Sequence, residues 1–242
     1  MTSTRSFAEP TSGATGAPAR LRAVENLVGP AGRLEALLNE PPAASGVPGT
    51  PYSVLICHPH PLGGGTMHNK VVYRAMKTFL EFGLPVLRFN FRGTGLSAGT
   101  HDDGRGEVED VRAALSWLEH EFVAPILFCG FSFGAYTGLR ACCGDRRVIG
   151  MVALGLPIRA DRRRYGYNFL ARCTQPKLFV SGGADQFGPR DEIAKAVAAA
   201  APPAQLDMVE GADHFFTGKL ELMQAPLKVW IGEQFFPSER PR

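Results

Sequence analysis

A serine between glycines stands where an apolar run passes into a helix-like segment. The stretch FCGFSFGAY contains Gly130, Ser132 and Gly134 in a G-x-S-x-G pattern. A sharp strand-to-helix turn of this kind strains the backbone of the serine and exposes its hydroxyl. Small residues on either side let the strand and the helix approach closely. The pattern therefore predicts that Ser132 is a nucleophile, if a base and an orienting group lie nearby.

Two later segments supply candidates for those groups. A serine hydroxyl is a poor nucleophile until a base takes its proton, and the base needs a third group to fix its tautomer. VSGGADQFG supplies Asp185 and EGADHFFTG supplies His214, each just after an apolar run. Asp185 could instead form an Asx turn or cap a helix, and His214 could be a loop histidine with its hydrogen bonds satisfied. The chain order Ser132, Asp185, His214 favours a catalytic triad.

Asp213 is the competing acid because it directly precedes the candidate base. Adjacent side chains on an extended segment point to opposite sides, so Asp213 is the less suitable partner for His214. We therefore expect Asp185 to orient the imidazole.

The elements that must position these residues follow from the hydrophobic pattern after residue 50. Six short apolar runs alternate with five helix-like segments. The runs cover 52–58, 85–91, 124–132, 148–156, 176–183 and 204–211, and the helix-like segments lie near 67–82, 105–121, 134–143, 189–200 and 217–235. This alternation predicts an α/β fold whose mainly parallel sheet is covered by helices on both faces. In such sheets chemistry gathers at the carboxyl ends of the strands, where all three candidates stand.

The ends of the chain have a different composition. Residues 1–20 are rich in Ser, Thr, Ala, Gly and Pro and are expected to be flexible. RLRAVENLV and RLEALLNE flank the turn GPAG and predict an opening hairpin. We expect one domain over residues 21–236 and a short tail over 237–242.

Composition and charge exclude several classes of protein. The chain has 242 residues, 45% of them apolar, and a formal net charge of +3 without a long basic block, which argues against nucleic acid as a partner. No apolar run approaches the roughly 18 to 20 residues needed to span a bilayer, and the first residues lack the apolar core of a secretory signal. We expect a cytoplasmic protein.

The five cysteines form no CxxC pair and are expected to be reduced, mostly core thiols. Redox activity of Cys142 and Cys143 is the alternative.

The stretch HPHPLGGGTMHN, residues 58–69, is called the HPHP loop below. A metal site is one interpretation, since His58, His60 and His68 are close in sequence. The stiff H-P-H-P backbone and the lack of an acidic residue argue against it. A phosphate loop is less suitable still, because the G-x-x-x-x-G-K-[ST] spacing is missing. We expect neither a metal nor a cofactor.

Four motifs together resemble one superfamily. HPHP...GG.M.NK, RFNFRG.G.S.G, GFSFG and GADHFF are similar to segments of small bacterial serine hydrolases of the α/β-hydrolase superfamily, over residues 51 to 236. The resemblance implies an oxyanion hole built from the amide of Phe133 and one amide of the loop after the third strand. Proline has no N–H, which leaves His60 or Leu62 as the loop donor.

Two sets of charged residues have structural and functional interpretations. We expect Arg92, Glu107 and Asp110 to form an ion-pair set that ties the loop after RFNF to the next helix, with a substrate role for Arg92 as the alternative. The segment 158–175, where relatives insert a lid, is too short for a separate cap domain, so we expect an open site. This segment contains a run of arginines, which either forms a solvated surface or selects anionic substrates. The run comprises Arg159, Arg162, Arg163 and Arg164.

The resemblance and the triad together imply a serine hydrolase. We expect it to cleave a carboxylic ester or thioester of a small or medium substrate through an acyl-enzyme. A peptidase or amidase with the same triad and a ligand-binding protein with slow turnover are the alternatives. The expected partner is the small-molecule substrate, and a homodimer is left open.

Overall fold

The computed structural model of the chain describes residues 19–41, 51–160 and 163–237. The two expected terminal segments lie almost wholly outside these residues, so the domain boundaries stay a prediction.

Twelve strands are found in the described residues, and eight of them form the central sheet. Their bounds are β1 (Arg20–Val24), β2 (Val28–Gly29), β3 (Gly32–Arg33), β4 (Ala36–Glu40), β5 (Ser53–Cys57), β6 (Val86–Phe89), β7 (Ile126–Phe131), β8 (Val148–Leu154), β9 (Arg159–Ala160), β10 (Arg163–Arg164), β11 (Lys177–Gly182) and β12 (Ala204–Val209). The sheet order is β1-β4-β6-β5-β7-β8-β11-β12. All six predicted apolar runs form strands of this sheet.

The sheet is antiparallel at one edge and parallel elsewhere. β1 pairs antiparallel with β4, and β4 pairs antiparallel with β6. From β6 through β5, β7, β8 and β11 to β12 every pairing is parallel. The opening hairpin is confirmed, with β2 and β3 paired at its tip. The parallel strands end at one edge, and the loops that leave that edge carry the candidate residues.

In the described part of the chain five α-helices cover the two faces of the sheet, as the pattern predicts. They are α1 (Lys70–Glu81), α2 (Gly106–Phe122), α3 (Phe133–Cys142), α4 (Arg190–Ala198) and α5 (Leu220–Phe235). One buried cluster holds apolar residues of α2, α3 and α4, and a second holds those of α1 and α5. The α/β fold class is thereby confirmed. Helix α1 begins at residue 70 rather than 67 because the Asn69 side chain caps it, accepting a hydrogen bond of 2.9 Å from the amide of Val71.

The cysteines behave as core residues. Four are buried, Cys143 is partly buried, and none forms a disulfide. Burial raises the pKa of Cys57 and of Cys142 well above the usual thiol range. A protonated, buried thiol is unreactive, which fits the expected structural role. Within the described part of the chain, no helix is long and apolar enough to cross a membrane.

The segment between β8 and β11 is small. Strands β9 and β10 form a two-residue ladder, and a 3₁₀ helix covers Asn168–Arg172. In the described residues this agrees with the expectation that the segment holds a minimal cap and no separate cap domain.

Candidate active site

Ser132 occupies the turn between β7 and α3. Its φ of 56° and ψ of −122° lie outside the regions that L residues usually adopt. This is the strained backbone that the G-x-S-x-G pattern predicts. Its amide donates to Leu154 O at the end of β8, which holds the turn against the sheet.

The two glycines of the turn are required by contact distances. A Cβ on Gly130 would lie 2.5 Å from the carbonyl oxygen of Gly134, and a Cβ on Gly134 would lie 2.4 Å from that of His58. Real Cβ atoms do not approach backbone so closely. The glycines therefore bring α3 against both β7 and the start of the HPHP loop.

The three triad candidates form one hydrogen-bonded chain. His214 Nε2 lies 2.8 Å from Ser132 Oγ, and His214 Nδ1 lies 2.7 Å from Asp185 Oδ2. All three residues are buried, with Ser132 the most exposed at 8%. With the proton on Nδ1 donated to the carboxylate, Nε2 is free to accept the serine proton. This arrangement can activate the hydroxyl for attack on a carbonyl carbon.

Asp185 satisfies both interpretations of its sequence position. Its Oδ2 forms the hydrogen bond with His214 Nδ1. Its Oδ1 accepts hydrogen bonds from the amides of Phe187 at 2.8 Å and Gly188 at 3.2 Å. The Asx turn therefore fixes the carboxylate that faces the imidazole.

The Asp213 carboxylate forms hydrogen bonds with the turn that follows it and not with His214. Its Oδ1 accepts from the amides of Thr217 at 2.8 Å and Phe215 at 3.1 Å. The Thr217 amide is the main reason that the pKa of Asp213 lies below its usual value.

Aromatic rings enclose the candidate base. The ring centroids of Phe131, Phe187 and Phe215 lie 5.1, 4.7 and 5.2 Å from that of His214. Rings on several sides keep water from the imidazole and strengthen its hydrogen bonds.

His58, at the start of the HPHP loop, is a structural residue. It is fully buried, its Nε2 accepts from the Phe91 amide at 3.0 Å, and its Nδ1 donates to Pro59 O at 2.7 Å. Burial lowers its pKa to about 4, so the ring is neutral at physiological pH. With both nitrogens engaged, His58 does not fit the ligand role of the metal hypothesis. No three His, Cys, Asp or Glu side chains of the described ranges are placed to hold a metal ion.

Most of the loop amides are used inside the loop. The Leu62 amide donates to His60 Nδ1 at 3.2 Å, and the amides of Gly63 and Gly65 donate to His60 O at 3.1 and 3.0 Å. The Gly64 amide donates to Pro61 O. Of the two expected oxyanion donors, Leu62 is therefore already engaged. His60 lines the pocket beside Ser132 and packs against Phe133, with ring centroids 4.7 Å apart.

Sequence analysis missed two residues that hold the far end of the loop. Arg88 Nη1 donates to Met67 O at 2.8 Å, and the Met67 amide donates to Asn90 Oδ1 at 2.8 Å. We call this pair of contacts the β6 clamp. Arg88 and Asn90 are both buried at the end of β6. The available signal was two polar residues, at i and i+2, in the otherwise apolar run PVLRFNF.

The expected ion-pair set is present in part, because Arg92 pairs with Asp110 whereas Glu107 binds backbone amides of the same loop. Arg92 Nη2 lies 2.7 Å from Asp110 Oδ1, and this carboxylate raises the pKa of Arg92. The carboxylate of Glu107 accepts from the amides of Asp102 and Gly104, both at 2.8 Å. Asp110 and Glu107 thus brace the loop between β6 and α2 from within α2. With its guanidinium engaged in this way, Arg92 has a bracing role.

A pocket of about 430 Å³ opens above Ser132. Leu62, Phe187 and Phe215 provide apolar wall, and Ser132 and His214 lie in its lining. Of the arginine run, Arg163 lines the pocket, whereas Arg162 lies outside the described residues.

Comparisons with known proteins agree with the fold. Residues 53–224 match the family described as the alpha/beta hydrolase domain. An uncharacterized protein of Rickettsia prowazekii is 36% identical over 200 residues, which are 80% of this chain and 82% of that protein. A solved alpha-beta serine hydrolase homologue from Coxiella burnetii is 35% identical with a TM-score of 0.76, covering 91% of this chain and all of that one. XC6422 from Xanthomonas campestris, described as a serine hydrolase without lid, is 29% identical with a TM-score of 0.79, covering 93% and 100%.

The chain therefore belongs to the alpha/beta hydrolase domain family, as the four motifs indicated. The family and its serine hydrolase neighbours support a hydrolase.

Proposed function

We propose that this protein is a serine hydrolase that cleaves carboxylic esters or thioesters of small or medium substrates through an acyl-enzyme. The observation that carries the proposal is the hydrogen-bonded chain from Asp185 through His214 to Ser132 beside an open pocket. Its geometry matches what nucleophilic catalysis by serine requires.

In the first half-reaction Ser132 Oγ attacks the substrate carbonyl while His214 Nε2 takes the hydroxyl proton. Asp185 holds the imidazole in the correct tautomer and stabilises its charged form. His214 then gives the proton to the leaving alcohol or thiol, and the acyl group remains on Ser132. Water cleaves this acyl-enzyme by the same steps, with His214 again acting as the base.

The developing oxyanion is bound by two backbone amides. Phe133, the residue after the nucleophile and the first of α3, supplies one, and the positive end of the helix dipole adds to it. His60 supplies the other. Two observations support His60 over Leu62: the amides of residues 62–65 all donate within the loop, and His60 packs on Phe133.

The decisive experiment is a substrate panel with a labelling control. Purified protein is tested with p-nitrophenyl esters of increasing chain length, with thioesters and with aminoacyl anilides, and Ser132→Ala is tested alongside. We expect turnover of esters or thioesters, a burst of one product per active site, and neither with Ser132→Ala. Comparable activity in folded Ser132→Ala would refute the mechanism.

The panel also separates the alternatives. Faster cleavage of anilides than of matched esters would favour a peptidase or amidase, which must protonate a poorer leaving group. Binding without a burst would favour a ligand-binding protein. The expected cytoplasmic location and the homodimer stay predictions.

A further inference from the structure

Charge is distributed unevenly around the pocket. Arg163 is the only permanently charged side chain among the described residues that line it, and no carboxylate belongs to that part of the lining. The remaining wall is mostly apolar or backbone, including Leu62, Phe187 and Phe215. A substrate that fills this space meets the nucleophile, apolar surface and one cation.

The arginines of the run differ in their partners. Arg159 and Arg164 both bind Glu192 on α4, at 2.5 and 3.3 Å, and neither lines the pocket. Arg163 turns to the opposite side and binds Asp103, in the loop before α2, at 2.5 Å. The solvated-surface interpretation therefore fits Arg159 and Arg164. Arg163 is the one described arginine of the run that contributes to the pocket.

The partner of Arg163 is easily replaced. Both side chains are largely solvated, 42% exposed for Arg163 and 56% for Asp103. Ion pairs in such settings contribute little to stability, so exchanging Asp103 for another carboxylate has a small cost. A guanidinium also binds carboxylates through two parallel N–H groups, which gives it geometric selectivity.

On these grounds we propose that the preferred substrates are esters or thioesters that carry a free carboxylate, which Arg163 binds in place of Asp103. This inference rests on the proposed function, because it names the substrate class of the same site. Asp103 then acts as an internal competitor that occupies Arg163 until a substrate arrives.

The test compares substrates that differ only in charge. 4-Nitrophenyl hydrogen adipate and methyl 4-nitrophenyl adipate place the carboxylate on the acyl side. 4-Carboxyphenyl butyrate and its methyl ester place it on the leaving-group side. For each pair the measured quantity is the ratio of kcat/KM for the anionic substrate to that for the neutral one, after subtraction of spontaneous hydrolysis.

Four variants give opposed expectations. Arg163→Gln should lower this ratio about five- to twentyfold in at least one pair, and Arg163→Lys should restore part of it because the charge remains. Asp103→Asn should raise the ratio severalfold by removing the competitor. Asparagine tolerates the positive φ of 51° at this position, so the fold is kept. Arg159→Gln, the matched control outside the pocket, should leave the ratio unchanged.

Salt supplies a second readout. The preference of the unmodified protein for anionic substrates should fall as ionic strength rises, because the contact is solvated.

The outcomes separate a failure of carboxylate binding by Arg163 from a failure of the proposed hydrolase function. If neutral esters are cleaved in a Ser132-dependent way but Arg163→Gln leaves both ratios unchanged, the inference is wrong and the proposed function stands. The inference is equally wrong if Lys70→Gln lowers the ratio and Arg163→Gln does not; Lys70 lies 6.0 Å from the Phe215 ring, near the same pocket. If no ester or thioester is cleaved, both the function and the inference fail.

Discussion

In the proposed mechanism the two sides of the candidate site work by different chemistry, and the structure builds them differently. On one side the proposed triad acts through the side chains of Ser132, Asp185 and His214. Ser132 directly follows β7, whereas Asp185 and His214 lie in the loops after β11 and β12. On the other side the HPHP loop is proposed to act through its backbone, and Arg88 of β6 and Asn90 just after β6 hold the loop in place. A side-chain function requires certain residue types at certain positions. A backbone function requires only that the loop adopts a certain conformation. The residues that hold the loop in this conformation can therefore lie elsewhere in the chain.

The largest effect is expected on the side-chain half. Ser132→Ala and His214→Ala should each lower kcat by at least about a thousandfold, because either change removes the activated nucleophile. The double variant should be hardly worse than either single one, since the residues act as a unit. Steady-state kinetics on the best substrate of the ester panel measure both. Additive losses in the double variant would contradict a shared mechanism.

The two acidic residues close to His214, Asp185 and Asp213, test which one orients the imidazole. Asp185→Asn should lower kcat by at least about a hundredfold, because the amide cannot hold the imidazole in the required tautomer. Asp213→Asn is the matched control, and its effect should stay within a few-fold, since the hydrogen bonds of the Asp213 carboxylate are with Phe215 and Thr217 and not with His214. The reverse ranking would assign the orienting role to Asp213.

The backbone half is tested by removing an amide. His60→Pro should lower kcat about a hundred- to a thousandfold, the effect of losing one oxyanion hydrogen bond of roughly 3 to 4 kcal/mol. His60→Ala keeps the amide and should retain much of the activity. Leu62→Pro should have a smaller effect than His60→Pro, since the Leu62 amide donates to His60 Nδ1.

Folding must be checked in these proline variants because position 60 already lies between two prolines. Circular dichroism and thermal melting serve for this. Folded His60→Pro with near-normal turnover would show that His60 is not the donor, and an active Leu62→Pro beside it would exclude both expected residues.

The same contrast explains what could be predicted from the sequence. The alternation of apolar runs and helix-like segments is a local pattern, so the strands, the helices and the α/β class follow from it. The triad candidates are reactive residue types at strand ends, and the sheet brings their atoms to 2.7 and 2.8 Å. The strained backbone of Ser132 is predicted by the G-x-S-x-G pattern, whose glycines permit the sharp turn.

The support of the loop could not be derived in this way. Arg88 and Met67 are separated by 21 residues, and their contact depends on how β6 lies beside β5. Arginine and asparagine in a strand have many uses, and nothing local points to Met67. The choice between the amides of His60 and Leu62 likewise depends on the bond from Leu62 to His60 Nδ1, which residue types do not reveal.

The burial of His58 predicts a pH effect on stability. The folded pKa of His58, about 4, lies below its unfolded value of about 6.5. The contribution of His58 to the free energy of unfolding is therefore complete above pH 6.5 and is lost as the pH falls towards 4. Between pH 7.5 and 4.5 this loss should be about 2 to 3 kcal/mol. Urea unfolding at both values measures it. His58→Gln has no titrating ring and should show a correspondingly smaller drop, whereas an equal drop would place the effect in other groups.

The smallest effect on catalysis is expected from the β6 clamp. Asn90→Ala removes the acceptor of the Met67 amide, and Arg88→Lys shortens the reach to the Met67 carbonyl. Neither residue lines the pocket, so substrate binding should change little. A loop displaced by a fraction of an ångström aligns its amide poorly with the oxyanion, and kcat should fall about tenfold with KM nearly constant. Losing a buried hydrogen bond should also cost about 1 to 3 kcal/mol of stability.

A stability loss alone must therefore be separated from a displaced loop. Gln224→Ala is the matched control, because it removes a buried hydrogen bond of 2.8 Å to Thr78 between α5 and α1, away from the clamp. It should lower the melting temperature by a similar amount and leave kcat unchanged. If Asn90→Ala and Gln224→Ala lose the same activity for the same loss of stability, the clamp only stabilises the fold. If Asn90→Ala alone loses kcat, the end of β6 positions the backbone on which the second half of the site depends.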